Sequence, residues 1–140
     1  PFHRNIARAI LKEPKYYFFD IAQVRGDIGA KLENLVACAL LKEIHRLQDE
    51  EGRDMTLHFL RTKDGREVDF AVSNDDAITH MIEVKTKDPD FSPALDMFGA
   101  YFPQAARMQL VQELKREKQF PHGGCVRRMA TWLEHVSIGS

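Results

Sequence analysis

Cysteine is scarce in this chain, with two in 140 residues. Cys38 falls inside an amphipathic segment and Cys125 follows Gly123-Gly124, far away in sequence. That excludes a disulfide framework and points to a reducing, cytoplasmic setting. No apolar run approaches the about 20 residues that a membrane span needs, and the first residues do not read as a secretory signal. Charge of one sign is also missing. The formal net charge is -1, so no global field advertises a nucleic-acid partner. No Gly-x-x-x-x-Gly-Lys-Ser/Thr phosphate loop occurs, and nucleotide hydrolysis by that route is not expected within these residues. His122 and Cys125 have a spacing that zinc sites use, but no second ligand pair accompanies them. His3, His45, His58, His80 and His135 are scattered. No internal repeat or low-complexity segment is visible.

What is present suits one compact domain. Hydrophobic residues make up 44% of the chain and charged ones 29%, enough for a core and for solubility. The chain opens at Pro1 without a methionine and in mid-pattern, so a piece of a longer protein is expected. Charge is unevenly spread. Arg107, Lys115, Arg116, Lys118, Arg127 and Arg128 lie close in sequence against Glu113 and Glu117. Such a segment either touches phosphates or is a solvated face, the commoner outcome.

Three short pieces carry the chemistry: Glu33-Asn34, Glu67-Val68-Asp69-Phe70 and Ile82-Glu83-Val84-Lys85. Val68, Phe70 and Val72 alternate with Glu67, Asp69 and Ala71, the period of a strand, and Ile82 and Val84 alternate with Met81, Glu83 and Lys85 in the same way. Asn74-Asp75-Asp76, within residues 73–79, has turn composition, so the strands are expected to be antiparallel neighbours. Parity then predicts Asp69, Glu83 and Lys85 on one sheet face, with Val68, Phe70, Val72, Ile82 and Val84 on the other. Carboxylates crowded together repel unless one takes a proton or a cation intervenes. A hard ion such as Mg²⁺ or Mn²⁺ prefers oxygen ligands, here Glu33, Asp69, Glu83 and the Val84 carbonyl, with Lys85 serving the attacking water. The plainer readings are that Glu-x-Lys is a solvated ion pair and that Glu33 is a surface residue near a helix N-terminus.

Glu33 belongs to a helix predicted over residues 28–47. Leu32, Leu35, Val36, Ala39, Leu40, Ile44 and Leu47 form its apolar stripe, broken at Glu43, with Asp27 as N-cap and Gly52 as breaker. Before it, residues 5–12 read as a short helix and Tyr16-Tyr17-Phe18-Phe19 as a strand. After it come strands at 56–61, around Asp69 and around Glu83, with a turn at Lys63-Asp64-Gly65. A helix over 94–101, a strand over 107–112, a charged loop, a strand over 125–129 and a final helix with Met129, Trp132, Leu133 and Val136 complete the chain. Trp132 is expected in the core. The order is α/β, with helices covering a central mixed sheet of about four strands.

With those residues in hand, the chain resembles the C-terminal domain of unknown function of prokaryotic AAA+-type ATPases, a group placed in the PD-(D/E)xK nuclease-like superfamily. The resemblance covers roughly residues 14–136. It rests on Lys15, Tyr17, Phe18 and Asp20; on Gly29, Glu33, Asn34 and Val36; on Arg61, Lys63, Gly65, Glu67, Val68, Asp69 and Phe70; on Ile82, Glu83, Val84 and Lys85; and on Trp132-Leu133. Ala22 stands where the family has glycine, and Val68 where the superfamily has proline. The resemblance implies a restriction-endonuclease-like core over 14–140. Residues 1–13 would then be a linker from an ATPase domain of the same chain. It also implies that Asp69, Glu83 and Lys85 occupy catalytic positions and that Glu33, Asp69, Glu83 and Val84 occupy metal positions for Mg or Mn. The expected activity is hydrolysis of DNA or RNA. The alternative is a non-catalytic regulatory or interaction module coupled to the ATPase, because folds of this kind also bind without cutting.

Overall fold

A computed structural model of the chain describes residues 11–12, 27–62 and 65–139. The backbone runs through β1 (Leu11–Lys12), α1 (Ile28–Glu51), β2 (Met55–Arg61), β3 (Glu67–Asn74), β4 (Ala77–Lys85), α2 (Pro93–Tyr101), β5 (Ala106–Val111), β6 (Lys118–Gln119), β7 (Gly124–Arg128) and α3 (Met129–Glu134). Among the described residues the strands form one mixed sheet of seven, in the order β1-β2-β3-β4-β5-β7-β6. That is more than the four expected: β2 to β5 and β7 make five longer strands, and the two-residue pieces β1 and β6 add to them. Leu11 and Lys12, assigned by sequence to a helix, pair with β2 instead. The expected aromatic strand at 16–19 and the Lys63-Asp64 part of the turn lie outside the described residues.

α1 begins where expected. Asp27 Oδ1 accepts the Gly29 N–H at 2.8 Å and the Ala30 N–H at 3.3 Å, satisfying two orphan donors of the first turn. Replacing Asp27 by Ala is expected to lower stability by about 1 kcal/mol, read as a lower denaturant midpoint at unchanged slope; an unchanged midpoint would refute the cap. The helix runs past Leu47 to Glu51. Arg46 ties Glu43 and Glu50 together on the exposed side, each at 2.7 Å, which favours that last acidic turn. Gly52, at φ 65°, then closes it in the left-handed conformation that glycine adopts without a Cβ penalty.

α1 packs Leu32, Val36, Ala37, Leu40, Ile44 and Leu47 against Phe70, Val72, Ile82 and Val84 of the sheet. Leu35, expected in this stripe, is exposed. Trp132 of α3 joins the same layer as a buried anchor, as expected. The opposite face holds a second cluster, where Leu95 and Phe98 of α2 meet Leu60, Val68, Ala71, Ile78 and Met81. The architecture is therefore α/β/α. Among the described residues, no helix is long and apolar enough to cross a membrane.

β1 to β4 are antiparallel neighbours. The expected 73–79 linker shrinks to Asp75 and Asp76, both at positive φ (52° and 66°), the geometry of a tight hairpin turn whose twist suits the flanking strands. β4–β5 and β5–β7 are parallel, the first of these joined through α2. Ser92 caps α2, its Oγ accepting the Leu95 N–H, and Pro93 fills a first-turn position where an N–H would be unpaired anyway.

One expectation about parity fails in an informative place. Val68 does not share a face with Phe70 and Val72; it lies in the α2 layer. His58 is opposite Ala71 while Leu60 is opposite Val68, so β3 carries one residue more than β2 between them. This bulge reverses the side-chain alternation next to Asp69.

Candidate functional site

The regular β3–β4 ladder ends with Phe70 opposite Ile82. One step further, side chains take over the hydrogen bonding. The Asp69 N–H donates to Glu83 Oε1 at 3.0 Å, and the Val84 N–H donates to Asp69 Oδ2 at 2.8 Å. Two carboxyl groups thus satisfy amides that backbone carbonyls would otherwise serve. Glu83 stands on the α2 side of the sheet with Met81, and Lys85 follows at the same parity. Lys85 Nζ is 3.9 Å from Glu83 Oε2, and Ser92 Oγ is 3.4 Å from the same oxygen.

Glu83 is nearly enclosed, at 7% exposure. Its pKa is pushed up to about 9, first by burial and then by the Asp69 charge and a side-chain hydrogen bond with Asp69; the Asp69 amide and Lys85 oppose the shift. Burial and the neighbouring carboxyl thus favour the protonated form of Glu83. This is how two adjacent carboxyls settle in the absence of a cation.

A buried polar clamp supports the pair from the next strand. Gln109 of β5 is opposite Glu83 in the parallel ladder and has no exposed surface. Its Oε1 accepts the Ser92 N–H at 2.8 Å, and its Nε2 donates to the carbonyls of Asp90 at 2.7 Å and Asp88 at 3.1 Å. Gln109 therefore holds the loop that presents Ser92 to Glu83. Neither Ser92 nor Gln109 was singled out from sequence. The signals were there: Ser92-Pro93 is a helix start, and Gln109 interrupts the apolar run Met108 to Val111.

Asp69, Glu83 and Lys85 come together as expected. The helix that carries Glu33 does not pack on the charged face as expected. Glu33 is half-buried on α1, and α1 packs on the other side of the sheet, against Phe70, Ile82 and Val84. Among the described residues, the charges acting on Glu83 are those of Asp69 and Lys85. The displacement follows from the apolar stripe, which pulls α1 onto the apolar face rather than the charged one. Val84 enters through its N–H. Among the described residues, no group of three or more His, Cys, Asp or Glu side chains is arranged to hold a metal ion. The donor set is a carboxyl pair. It still suits a hard divalent ion, which is commonly held by one or two carboxylates and completes its shell with water.

No curated protein and no solved structure matches the chain. A family model does, over residues 28–126, a stretch that contains α1, the Asp69–Glu83 pair, Gln109 and all the strands from β2 to β6. By that match the chain belongs to the family described as domain of unknown function DUF4143.

Proposed function

We propose that this domain is a PD-(D/E)xK-type nuclease-like module of an AAA+-type ATPase, hydrolysing nucleic-acid phosphodiesters with Mg²⁺ or Mn²⁺. The observation that carries the reading is the Asp69–Glu83 pair, two carboxyls brought together where β3 and β4 part, with Lys85 beside them. Asp69 and Glu83 would hold the ion, and a bound ion supplies Lewis-acid charge for attack by water on the phosphate. Lys85, partly exposed, would orient that water or the phosphate oxygen. Labelled single- and double-stranded DNA incubated with Mn²⁺ and the protein tests this. Lys85→Ala is expected to slow cleavage about a hundredfold. Absence of cleavage, or equal cleavage by the variant, overturns the catalytic reading.

A second reading has its own observation. Both carboxyls are tied to backbone amides, and the described residues supply no third ligand. That favours a non-catalytic module in which the pair is a structural remnant and the domain couples the ATPase to a partner. Calorimetry separates the two. Mn²⁺ binding that disappears in Asp69→Asn supports the metal site, and a flat titration of the unmodified protein supports the coupling module.

A further inference from the structure

Outside the carboxyl ends of β4 and β5 lies a cavity of about 620 Å³ with four cations in its wall: Lys87, Lys115, Arg116 and Lys118. We propose that this cavity binds the phosphate groups of a nucleotide, free or within a nucleic-acid strand. Loops leaving the ends of a rigid sheet commonly carry binding residues. The volume is that of a small-molecule site.

The charge does not cancel. Glu113 also lines the cavity, but it pairs with Lys87 at 3.5 Å. Glu117 is turned away, its Oε2 accepting the Arg128 N–H at 3.0 Å. Among the described residues, no carboxylate is paired with Lys115, Arg116 or Lys118. The backbone under these cations is also pinned. Arg128 donates to the carbonyls of Leu114 at 3.1 Å and Lys115 at 2.7 Å. At the loop's start, the Gln112 N–H donates to the Lys85 carbonyl at 3.0 Å and the Glu113 N–H to that of Thr86 at 2.9 Å. A cationic loop held in place loses little freedom on binding.

Most of the cavity's wall is apolar. Leu114, Pro89 and the aliphatic stems of the lysines supply that apolar wall. An inorganic anion would leave that wall unused, whereas a nucleotide adds a base and sugar to cover it. The site uses neither Asp69 nor Glu83, so it stands or falls apart from the hydrolysis reading.

The test is run in EDTA at low salt, with ATP by calorimetry and a short fluorescein-labelled single-stranded DNA by anisotropy. Lys115→Ala/Arg116→Ala is expected to weaken binding about tenfold and to flatten its salt dependence. The control, Lys31→Ala/Lys42→Ala on α1, removes the same charge and is expected to bind as the unmodified chain does. All four side chains are exposed, so both variants should keep the fold. Binding of ATP alone assigns the site to a free nucleotide, and binding of the strand alone assigns it to nucleic acid. No binding of either probe, or equal weakening by both variants, overturns the proposal and leaves a solvated loop.

Discussion

In EDTA, the unmodified protein should lose stability as pH rises from about 4.5 to about 9, while Glu83→Gln should lose much less. The sign follows from proton binding. Glu83 in the unfolded chain releases its proton near the ordinary value of 4.5, but in the fold it keeps it up to about 9. Between those limits the folded state binds more protons, so stability falls with pH, at up to about 1.4 kcal/mol per unit. Below the window the advantage of the unmodified protein is complete. Above it, a charged carboxylate is buried beside Asp69. Glutamine keeps an oxygen to accept the Asp69 N–H and never ionises. Comparing the two proteins by denaturant titration cancels the other titrating groups. Parallel stability curves from pH 5 to 9 would sink the paired-carboxyl description. Under the metal reading, Mn²⁺ at the alkaline end should restore the unmodified protein and leave Glu83→Gln unchanged.

Gln109→Leu should cost about 3 kcal/mol, lowering Tm by about 10 °C. Leucine has nearly the same shape, so packing is not what is lost. The Ser92 N–H and the carbonyls of Asp88 and Asp90 lose their partner, and the Ser92 bond is fully buried. Each buried polar group left unpaired costs about 1–3 kcal/mol, less where water can reach it, as it can near the exposed Asp88 and Asp90. A second readout distinguishes positioning from mere destabilisation. With the 88–92 loop loosened, water reaches Glu83 and its pKa falls toward the ordinary range, so the pH dependence described above should shrink. A variant within about 0.5 kcal/mol of the unmodified protein, with the same pH dependence, would show that Gln109 holds nothing.

The two variants meet at one point of the fold, because Glu83 and Gln109 are cross-strand partners. Glu83 is buried by α2 and its preceding loop, and that loop is fastened by Gln109. The unusual chemistry of the carboxyl is thus a consequence of how the crossover between two parallel strands is tied down.

Local pattern alone was enough for the α/β class, the main helix with its Asp27 and Gly52 caps, the hairpin carrying Asp69 and Glu83, and the buried Trp132. These depend on periodicity, capping and turn composition, which act over a few residues. Convergence of Asp69, Glu83 and Lys85 was legible in part: turn composition made β3 and β4 neighbours and parity put Glu83 and Lys85 on one face, while the bulge beside Asp69 broke the alternation of its own strand. Other features needed the tertiary structure. The bulge that sends Val68 to the α2 face depends on pairing with β2. Whether α1 brings Glu33 to the charged face or the apolar one is decided by the stripe's burial against Phe70 and Ile82. The two-residue strand β6 has no periodicity to read and exists only through its neighbour β7. Gln109 becomes a clamp only when the 88–92 loop folds back over β5, a contact between segments about twenty residues apart that no local pattern encodes.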